Sequence, residues 1–338
     1  MKRLFFVLPV LVLVAYACNV LTVADYSQIS VPQEAGRKFV EITNEDQVVW
    51  GPAVSISGTK ATWYTGSMLD ISPDGDKLVY IASTAANQKE GNVEVKSTKG
   101  GRSSVQRTFG ISASNPCFSP DGNSIAFSGY FPGDNKSTIC LINTNEGSSI
   151  KHLTEAQSGT ANSPCFSSDG QKIFYTRGMA SQQAPNMPVI WSYSIWSIET
   201  NTSITTQYTD GSSPNYVKGD KLLITKANQT TGQGEIWEID LKSGQETLVL
   251  RDNKRSFSTP KISPDGKRIL CTGTSVINNK ANLDIFMLNI DGTGLEQLTF
   301  HYGNDVSPCW APDGKSIYFL SQRGNPKGSW NIWNIEIN

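Results

Sequence analysis

The sequence predicts an all-β protein, a six-bladed β-propeller of four-stranded blades closed by an N-terminal strand. Three observations predict it. An Asp-Gly turn recurs at a near-constant step, the same order of short strands fills the space between copies, and the last copy is one strand short.

The turns stand at Asp74-Gly75, Asp121-Gly122, Asp169-Gly170, Asp265-Gly266 and Asp313-Gly314. The steps between the aspartates are 47, 48, 96 and 48 residues. The double step conceals a degenerate copy at Pro214-Asn215-Tyr216-Val217-Lys218-Gly219-Asp220, where the turn reads Gly-Asp and is one residue shorter. Self-similarity at such a period marks a repeat architecture.

Each copy has the same grammar. A Ser/Thr/Asn-Pro step precedes a short apolar strand, as in Ser163-Pro164-Cys165-Phe166. The Asp-Gly turn follows, then an alternating strand such as Ser316-Ile317-Tyr318-Phe319-Leu320. A third strand (Glu235-Ile236-Trp237-Glu238-Ile239), a Gly-containing turn and a fourth short strand complete the unit. Four strands bounded by Gly, Pro and Asp make one propeller blade.

The turn residues have a structural reason. Pro presets φ for the second turn position, Asp bonds nearby backbone N–H groups, and Gly accepts a left-handed conformation without a Cβ penalty. Asp74, Asp121, Asp169, Asp265 and Asp313 are therefore turn residues, one per blade, and not a catalytic or calcium-binding array.

The sixth copy lacks its fourth strand before the chain ends at Asn338. The segment at 38–43 resembles a fourth strand ending in Thr, and is expected to pair with the last blade. Closure of this kind hides the edges an open array would expose.

Three copies carry a family resemblance: Ile71-Ser72-Pro73-Asp74-Gly75, Phe118-Ser119-Pro120-Asp121-Gly122 and Ile262-Ser263-Pro264-Asp265-Gly266. They resemble the repeat of TolB-like propellers, over roughly residues 39–338. The resemblance implies the fold with high specificity and the function with little. It covers periplasmic scaffold proteins, propeller domains of peptidases and some polysaccharide lyases. TolB itself has an α/β domain before its propeller, and only a short tether precedes the closing strand here.

Composition fits one large globular domain, with 38% apolar and 17% charged residues and a net charge of −1. No basic stripe supports nucleic-acid binding. Lys2 and Arg3 precede an apolar run at 4–14, the layout of a signal peptide over residues 1–17. Ala15-Tyr16-Ala17-Cys18 resembles a lipobox, which would make Cys18 the lipidated N-terminus and 18–37 a tether to the propeller at 38–338. The alternative is ordinary cleavage and a soluble periplasmic protein. The expected location is the outer membrane, facing the periplasm, with membrane contact through the lipid alone.

The remaining five cysteines read as small buried hydrophobes, and no C-x-x-C pair suggests a metal. No cofactor is expected. Site candidates come from loops opposite the Asp-Gly turns, where function tends to reside on a rigid scaffold. Residues 47–66 form an insertion with Trp50, Trp63 and Tyr64, residues 179–193 a long loop in blade three, and residues 323–330 a Gly/Pro-rich loop in blade six. Trp191, Tyr193, His301, Tyr302, Asp305, Arg323 and Trp330 are the candidate partner-binding residues. Glu155, Asp210 and Asp305 are loop carboxylates on the same face. His152 reads as a surface residue of a fourth strand. With no G-x-S-x-G elbow and only two histidines, the expected function is non-enzymatic binding of a cell-envelope protein or oligosaccharide. The alternative is a polysaccharide lyase or glycoside hydrolase acting in the propeller funnel.

Overall fold

The Asp-Gly turn dictates the blade. In the first copy the Gly75 N–H donates to the Ser72 carbonyl at 2.8 Å, and the Ser72 hydroxyl donates to Asp74 Oδ1 at 2.5 Å. That carboxylate accepts the Asp76 N–H, and the same hydroxyl accepts the Lys77 N–H. The lattice repeats at Ser119/Asp121, Ser167/Asp169 and Ser263/Asp265. The serine hydroxyl is the main cause that holds these four aspartates below the ordinary carboxylate pKa. In blade six Ala311 replaces the serine, and Asp313 accepts only the Lys315 N–H. The degenerate fourth copy substitutes Tyr216, whose hydroxyl donates to Asp220.

The computed structural model describes residues 34, 36–42, 47–49, 51, 54–57, 60–63, 66–84, 91–100, 103–145, 149–155, 159–182, 186–277, 280–324 and 329–337; residues 47, 48, 54–57, 60–63, 84 and 280 are described by their backbone alone. The expected signal peptide, Cys18 and most of the expected tether lie outside these residues. No helix among the described residues is long and apolar enough to cross a membrane.

Six antiparallel sheets follow one another along the chain. Blade two is typical, with strands Ser112–Phe118, Ser124–Tyr130, Thr138–Asn143 and Lys151–His152. Each inner strand packs on the next, from Leu69–Ile71 through Ser112–Phe118, Thr160–Phe166, Ser212–Val217, Phe257–Ile262 and Asp305–Trp310, and the last packs on the first. The core lies between blades. Cys117, Ala126 and Ile139 of blade two meet Ile173 and Tyr175 of blade three, while Leu223 and Ile236 of blade four meet Phe257, Cys271 and Phe286 of blade five. All of these side chains are buried, which is the principal stabilising term of the ring.

Blade six closes as expected. Phe39–Glu41 pairs antiparallel with Asn331–Glu336, in the register Phe39↔Ile335, Val40↔Asn334 and Glu41↔Trp333. Arg323 locks this seam. It is 5% exposed, its guanidinium lies 3.9 Å over the Phe39 ring, and it donates to Asp305 Oδ2 at 2.7 Å and to both carboxylate oxygens of Glu34. Glu34 also accepts the Phe300 N–H at 2.8 Å.

The insertion at 47–66 is not a plain inter-blade loop. Gln47–Val49 pairs with the far end of Lys77–Thr84, and Leu69–Ile71 pairs with its near end. The inner strand of blade one is therefore split by an excursion of the chain, with Val49 opposite Ala82 and Leu69 opposite Tyr80. The excursion carries a hairpin of Val54–Ser57 and Lys60–Trp63.

Two substitutions test the turn lattice and a third tests the seam. Ser119→Ala removes a hydroxyl that satisfies two partners and should cost about 1 kcal/mol in urea denaturation, whereas Ala311→Ser should add up to about 1 kcal/mol by completing the sixth turn. Asp121 has a depressed pKa in the folded state, so its contribution is full above the unfolded value and is lost as pH falls through the folded one. The deficit of Ser119→Ala should therefore shrink below about pH 4. Arg323→Met strands Asp305 in the core and should cost about 3–5 kcal/mol, with faster proteolysis before Phe39.

Candidate functional site

The loop-rich face brings part of the predicted set together at the junction of blades five and six. His301 is 7% exposed and accepts the Gly303 N–H on Nδ1 at 3.0 Å, while its carbonyl accepts from Asn282. Burial is the main cause that lowers its pKa below the ordinary histidine value. Tyr302 is half-buried, edge-on to His301. Asp305 begins the inner strand of blade six and is fully buried, as is Asp284 of blade five. Asp284 is wrapped by Ser275, Asn282, Gln297 and Thr299, and burial first, then Asp305, raises its pKa well above the carboxylate range. Asp305 Oδ2 is taken by Arg323, and Oδ1 has no partner among the described residues.

These side chains thus face one another inside the seam, not the solvent. Trp330 is half-buried and bridges Val49 through the backbone, with Gly51 lying against its ring. Trp50, Tyr64 and the side chain of Trp63 lie outside the described residues. Glu155 and Asp210 are exposed, unlike Asp305. His152 is exposed on its fourth strand, beside Phe131. Among the described residues no three His, Cys, Asp or Glu side chains group as metal ligands.

Trp191 and Tyr193 lie elsewhere, on blade three, and the expected loop at 179–193 is largely a hairpin. Lys172–Ser181 and Ile190–Glu199 pair over ten residues, from Lys172↔Glu199 to Ser181↔Ile190. The equivalent strands of blade four pair over seven. Three extra pairs raise the hairpin by about 10 Å. The aromatic and β-branched run Ile190-Trp191 favours a strand over a loop, and Tyr193 covers Gly178 opposite. Trp191 and Tyr193 stack on one face, 6.4 Å apart and 14° from parallel. Met179, Met187, Val189 and Ile190 are exposed by 42%, 54%, 41% and 38%. Gln182 donates to the Met187 carbonyl and holds the tip.

A feature absent from the sequence reading surrounds the central axis. Asn115, Ser163, Ser213, Thr259 and Ser307 each precede a proline, and each has φ between 51° and 55°. Such a conformation costs of order 1 kcal/mol for a non-glycine residue. Each coincides with a shift of register in its blade. The bulge turns the residue two positions later, in five blades, toward the axis. Those residues are Cys117, Cys165, Asn215, Lys261 and Cys309, and Asp70 holds the equivalent place in blade one. Glu34 was also missed, because nothing in the tether's composition singles out one glutamate.

Comparison with known proteins matches this geometry. A 65-residue stretch is 40% identical to dipeptidyl-peptidase 5 of Porphyromonas gingivalis, covering 19% of this chain and 10% of that protein. The chain thus spans about a tenth of the length of the curated relatives it matches. The solved putative TolB of Agrobacterium tumefaciens superposes with a TM-score of 0.58 at 19% identity, over 83% of this chain and 95% of that one. An oligogalacturonate lyase of Vibrio parahaemolyticus superposes with a TM-score of 0.54 at 10% identity, over 89% and 97%. The model of the TolB beta propeller domain matches residues 68–270 and 200–338. With all six blades in place, this chain belongs to the TolB beta propeller domain family.

Proposed function

We propose that this propeller is an exported, non-catalytic binding module that docks a cell-envelope protein on the raised hairpin of blade three. One observation carries the reading: four exposed large apolar side chains, Met179, Met187, Val189 and Ile190, gather on that hairpin beside the stacked Trp191 and Tyr193. Exposed apolar side chains on both faces of a projecting, hydrogen-bonded hairpin are how an interaction surface presents itself. Unbranched methionines adapt to a partner's contours, and stacked aromatic rings supply contact area at small entropic cost.

The reading places binding on blade three and leaves the seam residues to hold the ring. Arg323 is occupied by Asp305 and Glu34, and His301 by the Gly303 N–H and Asn282, so their part is to fix the face on which the hairpin stands. Tyr302 and Trp330 flank that face. The leader and the Cys18 lipid would bring the module to the outer membrane, its periplasmic side being the reading that accords with the family resemblance.

A photo-crosslinking amino acid at Met187 should capture a protein partner in intact cells, and one at Lys242, in an Asp-Gly-side turn, should not. Ile190→Ser with Met187→Ser should weaken capture about tenfold or more, as loss of anchor side chains does, and leave the melting temperature unchanged. Equal capture at both positions, or capture only of oligosaccharide, would overturn the proposal. Radiolabelled fatty acid incorporated by the wild type and not by Cys18→Ala would establish the anchor.

A further inference from the structure

We infer that the axis of the propeller holds a binding site for a carboxylate group, formed by Lys261 and Asn215 on adjacent inner strands. The ring of six equivalent positions reads Asp70, Cys117, Cys165, Asn215, Lys261 and Cys309 in blade order. One cation, one acid, one amide and three thiols therefore share a narrow space.

The side chain at this position leans over the inner strand of the next blade. Asp70 accepts the Phe118 N–H at 2.9 Å, the Cys165 sulfur accepts the Tyr216 N–H at 3.2 Å, and Asn215 Oδ1 accepts the Ile262 N–H at 2.8 Å. The last bond fixes the Asn215 amide beside Lys261. Its oxygen is used, so its Nδ2 is left as a donor, without an acceptor among the described residues.

Lys261 makes no side-chain hydrogen bond or ion pair within 4 Å among the described residues. Protein surrounds it, yet part of its surface remains on the axis. The thiols provide no counter-charge, because burial raises all three and keeps them protonated. Asp70 lies two blades away in the ring, and burial raises its pKa too. Burial works against the Lys261 ammonium, and the attraction of Asp70 across the ring works for it. An enclosed cation with no contacting anion is costly unless a ligand or solvent answers it.

Two convergent N–H donors, one of them charged, suit the two oxygens of a carboxylate. The flanking Cys165 and Cys309 are uncharged and small, and suit a short apolar body better than a second charge. Gly66 and Met68 of blade one stand at the loop-rich end of this space. Gly66 lies against Ser163 and Asn115, where a Cβ would come within 2.3 and 2.4 Å, and the Met68 N–H donates to Ser307 at 3.1 Å. The occupant is therefore small, either a free short-chain acid or the C-terminus of a peptide entering from the Asp-Gly side.

The test is saturation-transfer NMR and thermal shift with acetate, neutral acetamide, a free-acid dipeptide and its amidated form. Acetate should show transfer and raise the melting temperature where acetamide does not. The dipeptide pair decides between a free acid and a chain terminus, since only a terminus site favours the free-acid dipeptide over acetate. Lys261→Met should weaken acetate binding about tenfold or more, the worth of a charge-assisted bond, while melting at or above the wild-type temperature without ligand. Equal response to acetate and acetamide in the wild type would overturn the inference whether or not the variant folds. An acetate response that chloride reproduces, or that survives in Lys261→Met, would also overturn it, leaving a water-filled channel.

Discussion

The ring depends on a single pairing, that of Phe39–Glu41 with Asn331–Glu336. Blades one to five draw their four strands from one continuous stretch of chain, but blade six borrows its outer strand from the start. Without that strand, the outer edge of Asn331–Glu336 would offer unpaired N–H and C=O groups to any other chain. Only three register pairs make this closure, fewer than in any of the hairpins between second and third strands. The deficit is met from outside the ladder. Arg323 ties Asp305 of blade six to Glu34 ahead of the closing strand, and its guanidinium lies over Phe39. The ion pairs are buried, where salt screens little and removal of one partner costs most.

Much of this architecture was legible in the sequence because the repeat is written in residues with fixed conformational demands. Pro, Asp and Gly specify a turn wherever they occur, so the five clear copies and the degenerate fourth stood out by spacing. Closure followed from counting strands. Side-chain destiny was less legible. His301, Asp305 and Arg323 are expected among the loops as binding residues and are buried instead, because charged and aromatic residues near a loop read alike whether they face solvent or each other. Arg323 is held there by Glu34, 289 residues away in sequence, and such a contact leaves no local trace. Residues 179–193 read as a long loop, whereas strand pairing carries on to Ser181 and Ile190.

The axial ring was invisible for a different reason. Three of its members are cysteines at the same motif position, and a buried small hydrophobe is the ordinary meaning of that pattern. The meaning changes with the exceptions. Asp70, Asn215 and Lys261 hold the same place as the cysteines, and only alignment of the blades by register reveals that an acid, an amide and a base occupy one ring. The bulge that turns them inward rests on a left-handed residue before proline, a conformation that the Ser/Thr/Asn-Pro step does not advertise.

The departures from sixfold regularity are distributed in a way that separates holding from binding. Blade one is interrupted at the very position where the other five make their bulge, so the excursion costs no ladder that the repeat would otherwise complete. Blades three and five are lengthened with their second and third strands in unbroken register. Blade six spends its irregular residues on the seam. If the chain before Glu34 is tethered through Cys18, any pull enters the ring at the Glu34–Arg323 pair before it reaches the three-residue strand. The load then falls first on a buried, doubly bonded ion pair within blade six, and the blade-three hairpin stands on the part of the ring least disturbed by it.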